Sequence, residues 1–226
     1  MIKRLLIIIS IIGVGVIFYD LVTEFQEAPA LHPLAERYVR QGPMEVGAAN
    51  LVTAVVVTYR GLDTLGEVTV LFIAATGVGL LLKRRREYSR DKHHASELVR
   101  TGSHVLVSLI FLFGIYIFVN GHLTPGGGFQ GGAVIASGAL LLFLANPYQE
   151  LGHRFVSTVE SSSGAVYVGL GLSGLFLAGG FLDNSVLSLG TLGQLFSAGT
   201  IPLIYTCIGL KVGAELSNVL QHLQEA

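Results

Sequence analysis

Gly121-His122-Leu123-Thr124-Pro125-Gly126-Gly127-Gly128-Phe129-Gln130-Gly131-Gly132 lies between two long apolar runs, and its reading decides the fold. Five glycines fall within positions 126–132, beside a proline, a histidine and a glutamine. Glycine carries no Cβ and takes up positive φ freely, so this backbone turns sharply and tolerates close approach. A polar turn between hydrophobic spans persists only where protein or water satisfies its backbone groups. The segment is therefore expected to be buried in an assembly or to line a wet cavity.

The flanking runs are Thr101 to Val119, which carries His104, and Phe129 to Ala145. Similar runs recur at Leu5 to Val22, Met44 to Tyr59, Leu65 to Leu82, Ala165 to Leu182 and Phe196 to about Leu216. A bilayer takes roughly 17–25 residues of helix to cross. The pattern predicts an all-α polytopic membrane protein with about seven transmembrane helices, of which Met44–Tyr59 is short and carries Glu45 and Asn50 near its start. Composition agrees: 51% of the 226 residues are hydrophobic, only 13% are charged, and mean hydropathy is +0.65. A net charge of -1 gives no nucleic-acid footprint. The single cysteine, Cys207, lies in an apolar run and has no internal partner for a disulfide. Tryptophan is absent, so an aromatic belt rests on Tyr and Phe. The first run follows Lys3 and Arg4, and Ala28-Pro29-Ala30 mimics a cleavage site. That site lies far beyond the apolar run and has proline at its centre, so the run is read as a retained helix.

Seven crossings with the N-terminus outside put ten Lys and Arg on the inner side and three on the outer, with Lys211 in the membrane. The positive-inside rule then places the N-terminus outside and the C-terminus in the cytoplasm. The charged stretch Lys83 to Arg100, which holds His93 and His94, separates two modules, residues 1–92 and 93–226. Gln149 to Ser163 is polar with scattered apolar residues and reads as a short interfacial helix or a loop.

Ionisable groups inside the apolar runs are the candidate chemistry. Asp63 and Glu67 are four apart and share a face if a helix starts near Asp63, which equally suits an N-cap. Glu67 sits just inside the third run, where a carboxylate is costly and usually meets a partner or water. Lys211 lies inside the last run with Glu215 one turn on. It either snorkels to the surface or is a buried ammonium whose charge a carboxylate restores, able to exchange protons near neutral pH. His122 and His104 titrate near neutrality in the free state, and each serves as a relay or as a structural hydrogen-bonding group. His93, His94 and Glu97 have no further ligand at metal spacing, so no metal and no cofactor are expected. Gly169-Leu170-Gly171-Leu172-Ser173-Gly174 has the spelling of a dinucleotide loop but lies in an apolar helix, where small residues allow close packing. Gly128 and Gly132 share that use. No nucleophile with an adjacent base appears, which argues against an enzyme.

Gly121-His122 followed by Pro125, Gly126, Gly127, Gly128, Phe129, Gln130, Gly131 and Gly132 resembles the signature loop of the MnhB/MrpB subunit of Mrp-type Na+/H+ antiporters. Ile201-Pro202-Leu203 with Gly209-Leu210-Lys211-Val212-Gly213 is similar to that family's last helix, and the likeness spans about Glu97 to Leu220. Upstream, Gly47-Ala48-Ala49-Asn50 and Arg60-Gly61-Leu62-Asp63-Thr64-Leu65-Gly66-Glu67 resemble the MbhE-like module of membrane-bound hydrogenases. The resemblance implies a multi-pass subunit in a prokaryotic inner membrane, contributing to Na+/H+ exchange and complex assembly. The partners it implies are large antiporter-like subunits, small Mrp-type subunits, lipid, Na+ and H+, with no nucleic acid. It marks Glu67 and Lys211 as ion-path candidates, with Asp63, Glu215 and His122 beside them. Sodium needs oxygen ligands, which carboxylates, loop carbonyls and the Gln130 amide offer. The alternative it leaves is a subunit of a membrane-bound hydrogenase or similar ferredoxin-driven complex. The redox centres of such a complex would lie on other subunits, since one cysteine cannot hold an iron–sulfur cluster.

Overall fold

The computed structural model describes residues 2–23, 30–83 and 95–225. The described residues are helical, with eight α-helices in chain order: α1 (Ile2–Thr23), α2 (Pro33–Val46), α3 (Leu51–Thr53), α4 (Gly61–Lys83), α5 (Glu97–Val119), α6 (Gly128–Ala145), α7 (His153–Leu177) and α8 (Ile201–Glu225). A π-helical turn, Ala54–Tyr59, continues α3, and a 3₁₀ turn, Asn184–Val186, interrupts the loop before α8. The chain divides into two compact units, Met1–Glu36 and Arg37–Ala226. In the first unit α1 is exposed along its described length, as an apolar helix in lipid would be.

The second unit is built around α8, which packs against α4, α5, α6 and α7. Lipid tails are as apolar as leucine, so close van der Waals contact holds such helices together, and small residues permit it. A methyl group on Gly131 would lie 2.6 Å from the Gly114 carbonyl oxygen of α5. One on Gly132 would lie 2.8 Å from Val212 Cβ and 2.9 Å from the Gly213 nitrogen of α8. At Gly209 of α8 a methyl would strike the Phe118 ring of α5. The α5–α6–α8 core is therefore glycine-mediated. Where it ends, Gln224 Nε2 donates to the carbonyls of Phe143 (3.3 Å) and Pro147 (2.9 Å), closing the C-terminus of α6.

Five helices among the described residues are long and apolar enough to cross a membrane: the spans Lys3–Thr23, Gly61–Leu82, Glu97–Val119, Gly128–Ala145 and Ile201–Gln224. The seven runs read from the sequence differ from this in definite ways. Met44–Tyr59 is not a span. Gly47 takes φ +73°, the chain reverses, and Tyr59 at the far end hydrogen-bonds Glu45 at the near end. Tyr59 also stacks on Tyr38, with ring centroids 4.7 Å apart. The run folds back because Asn50 caps a fresh helix start at Val52 and Thr53. α7 has the length, 25 residues, but absorbs the polar Gln149–Ser163 stretch from His153 onward and ends at Leu177, five residues before the expected Leu182. α8 starts later than Phe196 and runs on to Glu225. His93 and His94 lie outside the described residues.

Candidate functional site

The glycine-rich loop is buried in its own chain. His122 is fully buried, and Gly121, Gly127, Gly128, Gly131 and Gly132 are buried with it, while Pro125 and Gln130 stay exposed. Gly126 adopts φ +146°, where a side chain would be strained. The loop carbonyls are taken. Asn50 Nδ2 donates to Gly121 O (2.8 Å) and Thr124 O (2.9 Å), and the Asn50 backbone N–H donates to His122 O (3.0 Å). Thr53 Oγ1 donates to Gly121 O at 2.7 Å, and Tyr205 OH of α8 donates to Thr53 Oγ1 at 3.1 Å. Three of the carbonyls expected to offer ion ligands therefore serve the fold. The same end gathers the loop before α8: Asn184 Nδ2 donates to Val46 O (2.8 Å) and Ala198 O (3.3 Å). Ala198 holds φ +65° against Gly47, whose added methyl would lie 3.2 Å from the Ala198 nitrogen.

Neither ring nitrogen of His122 has a hydrogen bond of ordinary geometry. Burial pushes its pKa below the usual value, and the nearby backbone of Gln194, Leu195 and Val119 opposes this only in part. His122 thus sits as a neutral wedge between loops.

The second polar centre is at mid-depth. Lys211 Nζ lies 2.7 Å from Glu215 Oε1, with the side chains 12% and 0% exposed. Four residues along a helix bring the two onto one face. Lys211 does not snorkel: its ammonium lies 4.7 Å from the Phe72 ring centroid of α4, a cation–π contact. Gly164 of α7 leaves room for it, since a methyl there would be 3.7 Å from Nζ. Apart from that ammonium, no donor reaches either Glu215 oxygen among the described residues. Glu160 of α7, half-buried, lies within electrostatic reach of Glu215. Glu160 thus adds a third charge near the buried pair, and a charge kept that far from water is costly unless paired.

The remaining sequence candidates stand apart. α4 begins at Gly61, so Asp63 is inside its first turn and not the cap. Asp63 pairs with Arg60, 2.5 Å from Nη2, on the exposed surface. Glu67, one turn deeper, is exposed on the outer face of α4 and within electrostatic reach of the buried Tyr167. His104 is exposed on α5. Lys211 and Glu215 alone among the candidates form a common site. The partners that sequence reasoning missed are Thr53 and Tyr205 at the loop, and Phe72, Glu160 and Gly164 at the pair. Only Glu160–Gly164 carried a signal, a helical spacing that faces the lysine once α7 is docked. No group of three or more His, Cys, Asp or Glu side chains is placed to hold a metal among the described residues.

The described residues form a helical membrane unit with a buried charge pair and a loop locked by glycines. Residues 98–218 match a family described as a domain related to the MnhB subunit of Na+/H+ antiporter, and the chain belongs to that family. Residues 2–97 match a second family, MbhE, the E subunit of MBH. The "Uncharacterized protein MJ1307" of Methanocaldococcus jannaschii is 30% identical, over 84% of this chain and 85% of that one. A probable K(+)/H(+) antiporter A/B subunit of Rhizobium meliloti is 28% identical over 63% of this chain. This chain spans only 17% of that relative. Among solved structures, the archaeal membrane-bound sulfane sulfur reductase (MBS), a respiratory membrane complex, contains a chain 44% identical with a TM-score of 0.84, covering 99% of this chain and 98% of that one. The Mrp complex from Dietzia sp. DQ12-45-1b has a chain 27% identical with a TM-score of 0.77, covering 98% of this chain and 26% of that one. The protein is a multi-pass prokaryotic membrane subunit of the MnhB-related antiporter family, and its structural neighbours are chains of multi-subunit membrane complexes.

Proposed function

We propose that this subunit contributes directly to ion translocation in a cation/proton antiporter complex, exchanging Na+ for H+. The Lys211–Glu215 pair carries the reading. A hydrophobic pair of similar volume would pack α8 at least as well, and a buried ion pair adds little net stability. Its burial against Phe72, with Glu160 nearby, therefore favours a working charge over a structural one. Glu67, exposed on α4 at membrane depth, supplies a second carboxylate facing a neighbouring subunit or water. Residues 1–92 and 93–226 act in this reading as an MbhE-like module and an MnhB-like module. Sodium-dependent proton exchange in vesicles carrying the whole complex tests it. Glu67→Gln and Lys211→Ala should each slow exchange per assembled complex; unchanged exchange in both would remove the ion-path roles.

A second reading is favoured by one observation, the 44% identity over 98% of a chain from a respiratory complex. In that setting the same subunit would serve the ion-pumping arm, with redox chemistry on its neighbours. Purifying the complex through a tag on this chain separates the two: co-purified cysteine-rich, metal-containing subunits indicate the respiratory form, and their absence indicates the antiporter.

A further inference from the structure

The charge pair is one end of a longer polar file. Lys211, Glu215, Asn218 and His222 recur along α8 at spacings of four, three and four. On a helix of 3.6 residues per turn they fall within a wedge about 60° wide. All four are buried or half-buried. The neighbouring helices give way to the file with glycine: Gly164 of α7 opposite Lys211, and Gly79 of α4 opposite His222. A methyl group on Gly79 would lie 3.6 Å from His222 Cε1 and 3.7 Å from Nε2.

The histidine's tautomer follows from its contact. His222 Nδ1 lies 2.7 Å from the Asn218 carbonyl oxygen, and a carbonyl only accepts. Nδ1 therefore carries the hydrogen, and Nε2 is the nitrogen free to take up a proton. His222 stands three residues from the end of α8 at Glu225, about 10 Å along the axis from Glu215. Hydrogen-bonded water and the Asn218 amide can bridge that length. Glu160 of α7 lies within electrostatic reach of Glu215, and α4 contributes the Phe72 ring and Gly79, with Lys83 one turn beyond. At the His222 end the Leu151 N–H donates to Gln221 Oε1 (3.2 Å), which brings the segment of Glu150, His153 and Arg154 to that end of α8. α6 has no ionisable residue in its sequence, and Glu97, Arg100 and His104 of α5 are exposed away from it.

We infer that this file is the proton access path of the Lys211–Glu215 pair, with His222 as the exchanging group at its mouth. A proton from bulk water binds Nε2 and makes the imidazolium. The Nε2–H bond then breaks, the proton passes along the water bridge, and an O–H bond forms on Glu215, which becomes the neutral acid while Lys211 keeps its ammonium. Neutral His222 is restored, and the reverse sequence releases the proton.

The inference rests on the ion-path reading of the pair, so the test carries a reference variant. Proton exchange is measured against pH in vesicles containing the intact complex, normalised to assembled complex, for wild type, Lys211→Ala, His222→Gln and His222→Ala. Glutamine keeps a donor for the Asn218 carbonyl but carries no exchangeable charge. His222→Gln should slow exchange at least about tenfold. Added imidazole should restore a substantial part of the rate to His222→Ala and none to His222→Gln. A His222→Gln rate and pH profile like wild type, with Lys211→Ala inactive, overturns the access path alone. Wild-type exchange in Lys211→Ala overturns the ion-path reading and the access path with it. Slow His222 variants that imidazole leaves slow mark the residue as structural and also overturn the proposal.

Discussion

Asn50 does three things at once. Its side chain caps α3, its Nδ2 holds two loop carbonyls, and its backbone N–H holds a third. A hydrogen bond contributes about 1 kcal/mol net and a cap about another 1 kcal/mol. Asn50→Ala should therefore lower stability by about 3 kcal/mol, read as a fall in the melting temperature of the detergent-purified complex. His122 sets a pH dependence. Its folded pKa is depressed by burial, so as pH falls the unfolded chain takes up the proton first. Stability is complete above the free imidazole value of about 6.5 and declines as pH drops below it. Melting curves across that range should show this slope, and His122→Asn should flatten it. Lys211 and Glu215 were legible because four residues on one helix are neighbours wherever the helix goes. The Asn50 tether was not, since it joins positions 71 and 74 residues apart and no period marks such a contact.

At the level of elements, the glycines divide by what they touch. Gly209 of α8 meets the Phe118 ring, whereas Gly169 of α7 has open space where a side chain would go. Gly209→Ala should cost about 1–3 kcal/mol by overpacking and reduce assembled complex on native gels, while Gly169→Ala should be neutral or slightly favourable. The G-x-G-x-x-G spelling in α7 is thus a packing surface: Gly171 faces Phe181 and Leu182, and Gly174 faces Gly180 and Asp183. Helix existence was readable from hydrophobic runs, but Met44–Tyr59 was misread. Its apolar face packs on protein, with Val46, Ala54 and Val57 in the buried core. Hydropathy measures an appetite for burial and does not separate lipid from a neighbouring helix. The reversal depends on Gly47 and on a Tyr59–Glu45 contact, with burial first and then that carboxylate holding the Tyr59 hydroxyl up to about 12 as a donor.

For the whole molecule, the fold-back alters the count of crossings. Arg37, Arg40 and Arg60 now share one side of the membrane, since residues 45 and 59 meet. Within the second unit α4, α5, α6 and α8 are long and apolar enough to cross, and with α7 taken as a fifth crossing Lys83 and Arg154 lie on the other side. With α1 as a further crossing, the positive-inside rule predicts both termini in the cytoplasm, against the outside N-terminus expected from seven runs. A reporter fused to the N-terminus should then be active only in its cytoplasmic form; an exported reporter would contradict that even count of crossings. That geometry sets the glycine-rich loop and the mouth of the α8 file at opposite ends of the unit, with the charge pair between them.

The pair is where transport and architecture part company. Replacing it whole, Lys211→Met with Glu215→Leu, removes the charges without leaving one unpaired, whereas either single change strands a buried charge at about 3–5 kcal/mol. Sodium-dependent proton exchange per assembled complex in the double variant is the decisive measurement. A complex that assembles as wild type yet exchanges no protons is the expected result; a complex that assembles and exchanges at the wild-type rate would contradict an ion-carrying role for the pair.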